Sequence, residues 1–165
     1  MIALLLAATA ALDPCTLLTA ADIKAVQREE PRETKASERP GGALAAQQCF
    51  YTLPTFAQSV AIEVRLPTGK APKTAVRDEW NLVTGKERKG GERDEEEEEK
   101  KTSKPIVIKG VGRGAVWSGS AKVGALYVLG KNAIVRVSVG GAADQKAKIK
   151  ACSTLAKRIL ARLPK

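Results

Sequence analysis

Cys15, Cys49 and Cys152 are the reactive side chains of this chain, and there is no histidine among its 165 residues. A serine or cysteine nucleophile therefore has no imidazole to take its proton, and only Lys, Asp or Glu remain as bases. Ser118, Ser120 and Lys122 could be drawn as a serine-lysine pair, but beside Trp117 they read as a polar turn between strands. Redox exchange would call for Cys-x-x-Cys and a zinc site for more cysteines with histidine, and neither pattern is present in the sequence. The run Asp94-Glu95-Glu96-Glu97-Glu98-Glu99 offers carboxylates to a hard cation but lacks the alternating spacing of a calcium loop, so it reads as a solvated charge run. No cofactor or metal is expected. A disulfide is, with Cys15 paired to Cys49 as the preferred connection and Cys15 to Cys152 as the alternative. Cys152, on an apolar helical stripe, then reads as a small buried residue.

Gly110-Val111-Gly112-Arg113-Gly114 looks like a phosphate loop. Such loops join a strand to a helix whose N-terminus meets the anion, whereas a strand bearing Trp117 follows here. The glycines are therefore expected to form a bend into a sheet, with Arg113 the one residue there to test as a ligand contact.

Charge is distributed unevenly. The net charge of +10 conceals a last third in which twelve basic residues face Asp144 alone. Such a field draws anionic partners over about 10 Å at physiological salt. The candidate partner-binding residues are Arg113, Lys146, Lys150, Lys157, Arg158 and Arg162.

These groups need elements to position them. Residues 1–11 have the length and apolar character of a signal-peptide core, with Ala8-Thr9-Ala10 in small-x-small form, although no basic leader precedes them. The stretch is too short to span a membrane. Asp13-Pro14 before Cys15 is not a lipobox, which disfavours lipid anchoring there. The remainder, 12–165, has the length of one domain, with a charged low-complexity insert at 86–104. Thr19 with Asp22 and the Leu18/Ile23 staple predicts a helix from about Thr19 to Glu30, stopped before Pro31, and 32–42 reads as a loop. Alternation at Cys49, Tyr51 and Leu53, then at Val60, Ile62, Val64 and Leu66, predicts an antiparallel hairpin. Val76, Trp80 and Val83 share one face of a second helix beginning near Thr74. Strands follow at 106–109, 115–117, 125–129 and 133–139, with a turn at Gly130-Lys131-Asn132. A last helix over about 143–163 carries Ile149, Cys152, Leu155, Ala156, Ile159, Leu160 and Leu163 inward, with Lys146, Lys150, Lys157, Arg158 and Arg162 on the opposite arc. Consecutive strands give the α+β class: a single twisted antiparallel sheet with helices packed on one face.

Through Asp13-Pro14-Cys15-Thr16-Leu17-Leu18-Thr19, Gln48-Cys49-Phe50-Tyr51, Gly110-Val111-Gly112 and Leu126-Tyr127-Val128-Leu129, the chain resembles a group of small bacterial exported proteins and lipoproteins of unknown function. These are related in outline to the PsbP and Mog1 proteins. The resemblance implies an α+β sheet-and-helix fold and a binding or assembly role without enzyme activity. Arg113 departs from the group's Gly-Val-Gly-Asp pattern.

The expected function is that of a non-catalytic exported binding or assembly protein of the bacterial envelope, periplasmic or extracellular, with no transmembrane span. Its basic C-terminal third would hold an acidic protein, a surface polymer or anionic lipid headgroups. The alternative is a carrier of a small apolar ligand in a cleft between sheet and helices. Nucleic acid is disfavoured by the lack of a recognised motif and by export.

Overall fold

Two meanders of antiparallel strands join edge to edge. The structure, a computed structural model, describes residues 12–86 and 104–164. Strands β1 (Glu33–Arg39), β2 (Leu44–Thr52) and β3 (Val60–Pro67) form the first meander, and β4 (Ile106–Val107), β5 (Gly114–Gly119), β6 (Gly124–Leu129) and β7 (Ile134–Val139) the second. They make one seven-stranded sheet in the order β1-β2-β3-β7-β6-β5-β4, every neighbouring pair antiparallel. Together with three helices, this is the expected α+β class with a single antiparallel sheet.

Alternation decides what each face buries. Cys49 lies opposite Ile62, Ile62 opposite Val137, and Val137 opposite Leu126, so one row of apolar residues crosses four strands. Helices α1 (Ala20–Gln27) and α3 (Gln145–Arg162) cover this row, placing Ile23, Leu155, Ala156 and Ile159 at 0 % exposure against Val128, Val135 and Val137. Each Leu or Ile buried in this way contributes about 1.5–3 kcal/mol. Both helix starts are capped. Thr19 and Asp22 form the predicted capping box, and Asp144 accepts from the Ala147 amide at 2.8 Å. Helix α1 stops at Gln27, short of the expected Glu30, because Arg28 takes the left-handed conformation at φ 65°.

The expectation that all helices pack on one face holds for α1 and α3 and is corrected for α2 (Ala75–Val83), which lies on the other side. There Val76, Trp80 and Val83 meet Val116, Tyr127, Leu129 and Ile134. The cause is in the strands: Val116 beside Trp117 and Ile134 beside Val135 are all buried, so the sheet is apolar on both faces at this end and needs a second cover.

A second correction concerns 32–42, expected as a loop. Residues Glu33–Arg39 pair with β2 over seven positions and form an edge strand. All seven side chains are exposed, so no apolar alternation marks the strand, and its charged residues are the kind that protect a sheet edge. The expected signal-peptide core at 1–11 and the charged insert at 86–104 lie outside the described residues, except for Lys86 and Lys104.

Candidate anion-binding surface

The bridge fixing the N-terminal segment is Cys15–Cys49, the preferred pairing, with the Cα atoms 5.1 Å apart. It closes a separation of 34 residues, worth about 3–4 kcal/mol in the chain-entropy model. Tyr51, 1 % exposed, shares its hydroxyl proton between the carbonyls of Pro14 and Cys15, and burial pushes its phenol up to about 12. Cys152 is free and buried as expected; burial pushes its thiol up to about 12, which removes it as a thiolate nucleophile at neutral pH.

The basic residues of α3 fall into three groups: the five expected on one arc divide into two, and Lys148, outside that arc, is the third. At about 100° per residue, Lys146, Lys150 and Lys157 occupy an arc of about 40°, opposite the buried stripe, and extend about 16 Å along the helix. All three are exposed, and none has an ion pair among the described residues. Arg158 and Arg162 lie on the flank toward α1. Arg162 binds Asp22 at 2.5 Å and donates to the Leu17 carbonyl at 2.8 Å, while Arg158 approaches Asp22 at 3.8 Å. Burial would raise the Asp22 carboxyl, but hydrogen bonds from Arg162 and Thr19 outweigh it and hold the group at about 2. These two arginines are therefore interhelical fasteners. Lys148 forms the third group, only 4 % exposed within the stripe of Cys152 and Leu155. The i, i+4, i+7 spacing of these three residues was the available signal for its burial.

Arg113 sits in the glycine bend. Its amide donates to the Leu129 carbonyl at 2.8 Å, and the side chain is exposed. Gly112, at φ 57°, lies so close to β6 that a Cβ would stand 2.5 Å from Val128 and 2.6 Å from the Leu129 carbonyl, which accounts for the glycine. The run is a bend into β5, as expected, and does not open a helix. Arg113 lines a cavity of about 370 Å³ with Lys86, Lys104, Trp80 and Val107. It is thus separated from the α3 lysines, which do not line that cavity.

Sequence reasoning missed a charged ladder on the α2 side. Glu63, 2 % exposed, accepts from Arg39 and Arg65, each at 2.6 Å, and from Gln48; Arg65 also reaches Glu79 on α2. Burial opposes ionisation of Glu63, but the hydrogen bonds from Arg65, Gln48 and Arg39 hold its carboxyl below the usual range. The Glu63 and Arg65 positions in an alternating strand carried the signal, since both face away from Ile62 and Val64. Next to the ladder, Arg136 donates to the Tyr127 hydroxyl at 3.2 Å and lies 5.8 Å from the centre of that ring.

Among the described residues no cluster of three or more His, Cys, Asp or Glu could hold a metal ion, and no helix is long and apolar enough to cross a membrane. The chain matches no family model, no curated protein and no solved structure.

Proposed function

We propose that the protein is a non-catalytic exported binding protein of the bacterial envelope, in the group it resembles, and that it holds a multivalent acidic partner on the outer arc of α3. The observation that carries this reading is the line of Lys146, Lys150 and Lys157, exposed and without ion pairs among the described residues. A row of uncompensated cations on a helix docked by its opposite face presents charge without moving the core. The Cys15–Cys49 bridge supports an oxidising compartment, and the apolar stretch 1–11 supports export. The absence of histidine from the sequence supports a role without acid-base catalysis. An acidic protein, a surface polymer and anionic headgroups share the chemistry that such a row would meet.

The test is binding of the full chain to polyglutamate and to vesicles containing phosphatidylglycerol, against vesicles of phosphatidylcholine alone. With each cation worth about 1 kcal/mol near an anionic surface, reversing Lys146, Lys150 and Lys157 to Glu should weaken binding by at least about 100-fold while leaving the melting temperature unchanged. Binding should also fall steeply between about 0.1 M and about 1 M salt, as the Debye length shrinks from about 10 to about 3 Å. Salt-insensitive binding that survives the triple reversal overturns the proposal.

A further inference from the structure

The cavity beneath Arg113 has the make-up of a small-molecule site distinct from the α3 arc. Its floor is apolar: Val116 from β5 and Trp80 from α2. Gly114 allows that floor to form, because a Cβ there would stand 3.2 Å from the Trp80 ring. The hydroxyl of Thr84 donates to the Trp80 carbonyl at 2.8 Å and anchors the end of α2 behind the ring. The rim carries three exposed cations, Lys86, Lys104 and Arg113, and none of them has a side-chain hydrogen bond or ion pair among the described residues. Val107 stands at the same rim with 72 % of its surface exposed. No described acidic residue lines the cavity.

The geometry points to a binding site for a small amphipathic anion, a carboxylate or phosphate head on a short apolar or aromatic body. The guanidinium of Arg113, with its backbone fixed by the hydrogen bond its amide donates to the Leu129 carbonyl, offers a planar fork to the head, with Lys86 and Lys104 as point charges beside it. The body would lie on Trp80 and Val116 and cover Val107. At about 370 Å³ the space lies at the small end of the range for ligand sites of about 300–1,000 Å³. Both the charge and the apolar floor are required, so a bare anion and a neutral chain should each bind poorly. The same chemistry describes a free metabolite and the end of a lipid.

The test is calorimetric titration of the full chain with octanoate and octyl phosphate, against octanol and inorganic phosphate. Octanoate or octyl phosphate should bind, and the two controls should not. Arg113→Glu and Lys104→Glu should each weaken binding by about tenfold or more, corresponding to the loss of a charge-assisted contact. Lys109→Glu, outside the cavity, and the triple reversal on α3 should leave it unchanged, which separates failure here from failure of the proposed function. Competition by octanoate against phosphatidylglycerol vesicles, with the same loss in Arg113→Glu, assigns a lipid source; octanoate binding that vesicles do not displace assigns a free one. Octanol binding as tightly as octanoate, or undiminished binding by Arg113→Glu, overturns the proposal.

Discussion

On the side of the sheet covered by α1 and α3, fully buried aliphatic side chains meet one another, with Ile159, Leu155 and Val137 all at 0 % exposure. The side covered by α2 combines a small apolar cluster around Trp80 with the ion-pair ladder Arg39-Glu63-Arg65-Glu79. Burial on the first side gains free energy in proportion to area and tolerates no gap. On the second, the cost of taking Glu63 out of water must be offset by its partners, and little net stability remains. The first side therefore sets how stable the molecule is. The second, with less covering and more charge, holds a cavity of about 510 Å³ between α2 and the β1–β2 turn, lined by Arg39 and Arg65, and the one under Arg113, while on the first side a cavity of about 660 Å³ opens at the C-terminal end of α3, lined by Leu66, Leu160 and Leu163.

The largest expected effect tests the aliphatic side. Ile159→Ala should cost about 4 kcal/mol in denaturant unfolding, whereas Val76→Ala on α2, only partly buried, should cost about 1 kcal/mol. Equal losses would erase the distinction between the faces.

Next in size is the ladder. Glu63→Ala leaves the guanidinium of Arg65 short of its buried partner and should cost about 2 kcal/mol, less than a fully buried pair because Arg39 is exposed and Glu79 remains. The double change Glu63→Leu with Arg65→Met should recover most of that loss, measured by the same unfolding curves. If the double variant is as unstable as the single one, the ladder is contributing net stability of its own.

The smallest effect reads the fastening of α1 to α3. Asp22 is held at about 2 against its ordinary 3.8, so its contribution is complete above about pH 4 and is lost as pH falls toward 2. Allowing for solvent screening, the loss should be about 1 kcal/mol in acid unfolding experiments. Arg162→Ala should return Asp22 toward 3.8 and remove most of that pH dependence.

Legibility followed the physics of each element. The period of Cys49, Tyr51, Val60 and Ile62 marked the hairpin, and the capping box at Thr19 marked where α1 begins. Strand β1 left no such mark, because an edge strand with every side chain in solvent is held by backbone pairing alone. The basic arc of α3 was legible as a set but not as parts. Arg158 and Arg162 are sequence neighbours of Lys157, yet they answer to Asp22, which lies about 140 positions away in the chain.

Local pattern thus determined the strands other than β1, the helix starts and the basic character of the last third, since these depend on periodicity, caps and composition within a few residues. Only the tertiary structure decided that α2 covers the opposite face, that Glu63 sits in a buried ladder, and which cations are paired among the described residues. A charge is available only after every nearby countercharge has been placed, and that placement depends on contacts between segments distant in the chain.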